Sequence, residues 1–527
     1  MLRTRKSAAG GPARAGLRRA VGAALAAAVA GTFLVGTPAM ARAEPATSGP
    51  TIRPAFGPIR WASCADDGSA ECGTLSLPVD WADPAGQRFE LALARRAATD
   101  RAARVGVLFF GPGGPGDSGV DRVVTGEQRF SAELRRRFDI VSFDPRGVGR
   151  SNPVVCAADL LARVPQLITD QAQFDATVRD NAELRADCRA RTGPVFDHLD
   201  TRSSVRDLDA VRAALGEERL TFHGSSYGTL LGAQYADEYP HRVRAMVLES
   251  VIDHSLPMRP FLASQAVAAQ DSFDEFVAWC DRAAGCALHG QDVRARWAEL
   301  FDRAERGALP DPTRPGATLT PFALSARAQR DLYGPDWAVL ADRIVTWSAA
   351  TGAAGTRTGA AATRAAGEQA NPLAVFCQDW SLPVKNHAEY ARLLRRLAAI
   401  APDVRYPLGA QALALCLGAP VGNPQHRLRG RTDVPVLVAA TRHDPVSEFD
   451  RAAAVARQLH GVLLAYEGGG TAATPPALAR VPRSTGTWSR WRSPPPAPAA
   501  RRSSHPRSSR TPGRDHRQAG RAAPPFR

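Results

Sequence analysis

The chain of 527 residues contains no C-x-x-C pair, so its eight cysteines lack the spacing that common structural zinc sites use. It has one long apolar run, at 20–36, and no other stretch long and apolar enough to cross a bilayer. Acidic side chains are missing from residues 1–42, which carry seven basic ones, and nearly missing from 471–527, where twelve Arg face only Asp515. The formal charge of +15 therefore belongs to the ends: setting aside +7 and +11 leaves the body, 43–470, at −3. An acidic body without basic residues interleaved with stacking aromatics ranks nucleic-acid binding last, and no nucleic-acid partner is expected. No internal repeat is visible.

What remains is ordinary globular composition, 44% apolar and 23% charged. Residues 1–43 read as a signal peptide. Arg3, Arg5, Lys6, Arg14, Arg18 and Arg19 precede the apolar run, and Ala39-Met40-Ala41 and Ala41-Arg42-Ala43 are small-residue cleavage patterns. The expectation is a secreted or cell-envelope protein with no membrane span after cleavage; an uncleaved anchor is the alternative. The Arg18-Arg19 pair leaves the Sec and twin-arginine routes both open. In an oxidising compartment an even cysteine count favours disulfides. Short spacing suggests Cys64–Cys72 and Cys280–Cys286, and elimination then leaves Cys156–Cys188 and Cys377–Cys416, although sequence alone does not fix pairing.

Six short apolar runs bounded by turn residues read as buried parallel strands: 105–110, 138–144, 220–224, 245–249, 434–441 and 461–466. Helical patterns lie between several of them, as at 204–215, where Val205, Leu208, Val211 and Leu215 share a face, and at 229–239. The alternation predicts a doubly wound, mostly parallel α/β sheet. Residues 256–404 break the rhythm and read as an inserted helical cap holding Trp279, Trp297, Trp337, Trp347 and Trp380. The core thus comprises 44–255 and 405–470. Within the cap, 349–371 is Ala, Gly and Thr with scattered charge, a linker composition. Residues 471–527 form a basic low-complexity tail of Arg, Pro, Ser and Ala.

Gly224-Ser225-Ser226-Tyr227-Gly228 fits G-x-S-x-G between a strand and a helix, the setting in which a tight turn lifts a serine clear of a sheet as a nucleophile. The bland alternative is a Gly/Ser turn. Gly111-Pro112-Gly113-Gly114-Pro115-Gly116 follows the strand ending at Phe110, where an oxyanion-hole loop belongs. The Gly114 amide, with Gly113 as runner-up, and the Tyr227 amide are the expected donors. A phosphate loop would need Lys after the glycines, and Asp117 stands there. Asp444, just after a late strand, is the expected acid; His443 beside it reads as a loop histidine pointing elsewhere. No metal or organic cofactor is expected.

Together these motifs define an α/β-hydrolase fold. With Asp144-Pro145-Arg146-Gly147-Val148-Gly149-Arg150-Ser151, Asp207-Leu208-Asp209-Ala210-Val211-Arg212 and Ser226-Tyr227-Gly228-Thr229, the chain over about 50–470 resembles the secreted tripeptidyl aminopeptidases, prolyl-aminopeptidase-like α/β hydrolases. The resemblance implies a serine peptidase releasing short peptides from the free N-termini of peptides or proteins, with Ser226 as nucleophile and Asp444 as acid; a monomer is expected, although sequence alone does not fix the oligomeric state. It also implies carboxylates for the substrate amine, for which Asp253 and Glu249 are candidates. One departure stands out. The family's base is a His in a Gly-His-Gly setting after the last strand, and Thr471 occupies that place here.

Thr-Ala-Ala-Thr-Pro at 471–475 can be encoded ACG GCG GCT ACC CC; read one base earlier, it becomes CAC GGC GGC TAC CCC, or His-Gly-Gly-Tyr-Pro. The tail therefore reads as a frameshifted sequence, with a genuine basic disordered tail as the alternative. Three functions follow: a serine exopeptidase, an esterase of the same fold, and a non-catalytic envelope or binding protein.

Overall fold

The computed structural model describes residues 57–334, 336–350 and 367–471. The expected signal peptide, the tail after Thr471 and most of the cap linker lie outside them.

Among the described residues there are eleven strands: β1 (Arg60–Ser63), β2 (Glu71–Pro78), β3 (Arg88–Arg96), β4 (Gly106–Gly111), β5 (Phe138–Phe143), β6 (Val155–Ala157), β7 (Leu220–Ser225), β8 (Val243–Glu249), β9 (Glu368–Ala370), β10 (Leu437–His443) and β11 (Val462–Gly469). Nine form one sheet in the order β1-β2-β3-β5-β4-β7-β8-β10-β11. From β5 to β11 every pairing is parallel, while β1, β2 and β3 join antiparallel at one edge. The six apolar runs read from the sequence are the six parallel strands. All six residues of β4 are buried, as helices on both faces require. The antiparallel edge escaped the reading because β3 alternates, Arg-Phe-Glu-Leu, with Arg88 and Glu90 outward.

Two of the sequence motifs meet in the core. The Arg146 guanidinium forks onto Asp207, Nε to Oδ2 at 2.7 Å and Nη2 to Oδ1 at 2.6 Å, with both side chains fully buried. Trp81 Nε1 also donates to Asp207 Oδ1, and Arg146 reaches the carbonyl of Val79. Such a pair is costly to break, because either partner alone is a buried charge. The run after β5 and the helix Thr201–Ala214 are thereby tied together beneath the sheet.

The inserted region holds helices Met258–Arg282, Val293–Glu305, Pro321–Asp331, Ala338–Ala349 and His387–Ile400 around a second apolar core with Trp297, Trp337, Trp347 and Trp380 buried. The long helix Gln171–Thr192 joins that core through Phe174. The linker reading needs one correction. Residues 368–370 form β9, which pairs antiparallel with β6, and Asn371 is buried with its amide on the Val154 carbonyl. A short polar strand of this kind is made by its tertiary partner, not by its own propensity. All four disulfides join the cysteines that spacing and elimination suggested. Among the described residues no helix is long and apolar enough to cross a membrane.

Candidate active site

β7 ends at Ser225 and the helix Gly228–Glu238 begins three positions later. Ser226, between them, has φ of 52°, a left-handed conformation that non-glycine residues adopt at a cost of about 1–3 kcal/mol. The turn is held by its neighbours. The Ser226 amide donates to the Glu249 carbonyl at 2.9 Å, and the Thr229 amide and hydroxyl donate to the Ser226 carbonyl at 2.9 and 2.6 Å. Ser225 and Tyr227 are buried while Ser226 is half-exposed, so the turn presents that one hydroxyl. Glycine at 228 is a packing necessity: a methyl group there would lie 2.2 Å from the Gly111 carbonyl oxygen.

The glycine loop after β4 runs beside this serine. A methyl group at Gly113 would stand 3.1 Å from Ser226 Cβ and 3.6 Å from its Oγ, so the loop backbone approaches as closely as it can. Gly114 takes φ of 106°, open to glycine and strained for other residues. Among the described residues, neither the Gly114 nor the Tyr227 amide donates to a backbone carbonyl in a turn or loop contact.

Asp444 follows β10 and is buried. It accepts from the Val446 and Ser447 amides at 2.9 and 3.0 Å and from the Ser447 hydroxyl at 2.7 Å. Burial pushes its carboxyl above the ordinary value, against the pull of Ser447, Val446 and Ser250. Thr471 leaves β11 on the same side: the Gly470 amide donates to the His443 carbonyl, next to Asp444, and the Thr471 amide donates to the Tyr333 carbonyl at 2.9 Å. Burial raises the Tyr333 phenol, and the charge of Asp444 adds to the rise.

The nearby histidines are engaged elsewhere. His443 is the last residue of β10, not a loop residue, and its Nδ1 sits 2.9 Å from Asp271 on the cap. His223 Nε2 lies 2.9 Å from Glu249 Oε2, too far off line for a hydrogen bond; burial works against its charge, but Glu249 outweighs this and holds the ring above its ordinary value. His254 has one ring nitrogen 2.6 Å from the Asp379 carbonyl and the other 3.2 Å from Gln234, and burial lowers it to about 4. Of the carboxylates considered for the substrate amine, Glu249 is buried against His223. Asp253 is buried too, accepting from the Ser255 amide and hydroxyl at 3.0 and 2.6 Å.

Asp379 is a site residue that sequence reasoning missed. It ends the helix Ala374–Asp379, fully buried, and accepts from the Thr201 amide and hydroxyl at 2.8 and 2.6 Å, from Asn423 at 2.8 Å and from the Tyr227 hydroxyl at 2.5 Å. It therefore pins the residue next to Ser226 from the cap side. Burial raises its carboxyl to about 6 in spite of these donors. The sequence signal was a polar Gln378-Asp379 pair at the end of an otherwise apolar helix.

The α/β hydrolase fold family matches residues 106–459 of the chain. The chain is 32% identical to the serine protease Hip1 of Mycobacterium tuberculosis over 444 residues, covering 78% of this chain and 84% of that protein. It is 31% identical to the tripeptidyl aminopeptidase of Streptomyces lividans over 443 residues, covering 79% and 81%. It is likewise 31% identical to carboxylesterase B of M. tuberculosis, covering 76% and 80%. With its sheet order, its strand–serine–helix turn and these relatives, the chain belongs to the α/β-hydrolase family and is kin to its tripeptidyl aminopeptidases.

Proposed function

We propose that this fold is an exported, monomeric serine exopeptidase that removes short peptides from free N-termini. Ser226 Oγ attacks the scissile carbonyl and gives its proton to a histidine oriented by Asp444. The Gly114 and Tyr227 amides hold the oxyanion, each contributing about 3 kcal/mol to the transition state. Collapse breaks the C–N bond as the histidine returns the proton to the leaving amine, and water then cleaves the acyl-enzyme. The observation that carries this reading is the left-handed, half-exposed Ser226 with the glycine loop against it.

The base is the missing part. In this reading position 471 belongs to histidine, and the sequence from Thr471 onward is a frameshifted reading of the native gene. Resequencing the DNA across codons 460–490 checks this. A missing or extra base restores a histidine codon in place of Thr471, whereas an intact frame encoding Thr471 favours a non-catalytic envelope or binding protein. The restored enzyme is expected to cleave tripeptide anilides with a free amine and to lose that turnover when the amine is acetylated. An esterase is the second reading, prompted by the carboxylesterase relative. It predicts equal turnover of acetylated and free esters.

A further inference from the structure

A cavity of about 400 Å³ opens where the first turn of the helix Thr201–Ala214, the end of the helix Gly228–Glu238 and the segment 426–429 meet. Neither Ser226, the glycine loop nor Asp444 lines it. Its wall is polar throughout. The first helix supplies Arg202 and the second Gln234, Asp237 and Glu238. The segment adds His426, Arg427 and Arg429.

The acceptors on this wall are already engaged. Asp237 Oδ1 accepts from the Arg429 and Gly430 amides, which ties the segment to the helix end. Glu238 Oε1 accepts from Arg206 Nε at 3.2 Å, and Arg206 stands outside the wall. Gln234 is buried, and its Oε1 accepts from Asn423 at 3.1 Å. His426 points Nδ1 at the Pro424 carbonyl, 3.1 Å away, and Nε2 towards Asp237 Oδ2 at 3.9 Å. The strongest donors are not engaged. Among the described residues, the exposed guanidiniums of Arg202, Arg427 and Arg429 make no hydrogen bond and no ion pair. With Arg206, four guanidiniums stand against two carboxylates, so the cavity carries net positive charge. Like charges around one space repel, and an anion placed between them turns that repulsion into attraction.

We propose that this cavity binds the phosphate group of a phosphate monoester, held by Arg202, Arg427 and Arg429. Such a group offers three unesterified oxygens and close to two negative charges. Planar guanidiniums match its geometry two hydrogen bonds at a time. A carboxylate brings one charge and two oxygens, less than three guanidiniums can use. The volume equals roughly thirteen waters, room for the phosphate and a few carbon atoms. The ester may be a small soluble molecule or a lipid headgroup, since the recognised chemistry is the same. The site does not depend on the catalytic reading.

Calorimetric titration with glycerol phosphate, and with acetate at matched ionic strength, tests it on the full chain and on the variant Arg202→Gln/Arg427→Gln/Arg429→Gln. The variant keeps the basic sequence after Thr471, so anion binding by that sequence survives in it and is subtracted. Glycerol phosphate is expected to bind the parent with Kd of about 1 mM or tighter. Acetate should bind the parent, and glycerol phosphate the variant, at least about tenfold more weakly, the loss expected for one charge-assisted hydrogen bond. Arg202→Gln alone should give a smaller loss of the same sign, which keeps the test should the triple variant misfold. Sedimentation with phosphatidylcholine vesicles, with and without phosphatidic acid, separates the sources. Binding of glycerol phosphate assigns a soluble ester. Binding seen only on phosphatidic acid vesicles, and lost in the variants, assigns a lipid headgroup. Failure of the parent to bind either probe, equal binding of acetate and glycerol phosphate, or unchanged binding by the folded variants would overturn the proposal.

Discussion

Replacing Asp379 by Asn isolates the electrostatic cost of the carboxylate that pins Tyr227. The carboxyl is fully buried and titrates at about 6, where an ordinary aspartate has 3.8. Below about pH 3 it is protonated in the folded and the unfolded chain alike, and burial costs nothing through this group. As pH rises, the unfolded chain sheds its proton first. Above about pH 6 both states are ionised, and the folded state bears a penalty of about 3 kcal/mol. Asparagine is always neutral and escapes that penalty. Its carbonyl can still accept from the Thr201 amide and Asn423, and its NH2 faces the Thr201 and Tyr227 hydroxyls, which can turn to accept. The variant should therefore fall within about 1 kcal/mol of the parent at about pH 4 and gain on it by about 3 kcal/mol towards pH 8. Urea unfolding of both proteins with disulfides intact, at several pH values, measures the difference, and contributions from other titrating groups such as His254 cancel between the two. A stability difference that stays flat from pH 4 to 8 would show that the buried Asp379 carboxylate bears no such penalty.

Two further predictions concern stability. Asp207→Ala should lower the unfolding free energy by about 3–5 kcal/mol, because it strands the Arg146 charge at a site with no exposure; the double variant Arg146→Met/Asp207→Leu should recover much of that loss in the same urea assay. Replacing Cys377 and Cys416 by Ser should cost about 4 kcal/mol, the loop entropy released by a bridge spanning 39 positions, and should appear as a lower thermal midpoint.

The parts of the fold legible in the sequence are those whose cause is local. The parallel strands are continuous apolar runs, and Gly224-Ser225-Ser226-Tyr227-Gly228 carries its own turn chemistry, so both could be placed before any contact was known. The antiparallel edge was missed because its alternating pattern belongs to a sheet with one face less covered. β9 was missed because its Glu-Gln-Ala sequence has no strand preference and depends on β6. Asp379 lay beyond reach for a different reason: it meets Tyr227 across 152 positions, and one buried carboxylate in a cap helix leaves no periodic trace. For the same reason Glu249 and Asp253 could be put forward for the substrate amine from sequence, while their partners, His223 and Ser255, appear only in three dimensions.

On the proposed function, Ser226 is a nucleophile whose base belongs at position 471. Labelling with a fluorophosphonate, read by peptide mass mapping, tests it on three proteins: the chain as encoded, Thr471→His and Ser226→Ala. Thr471→His is expected to be labelled on Ser226 at least about a hundredfold faster than the Thr471 protein, and Ser226→Ala is expected to stay unlabelled at that site. Equal labelling rates for the Thr471 and Thr471→His proteins, or labelling of another serine in both, would contradict it.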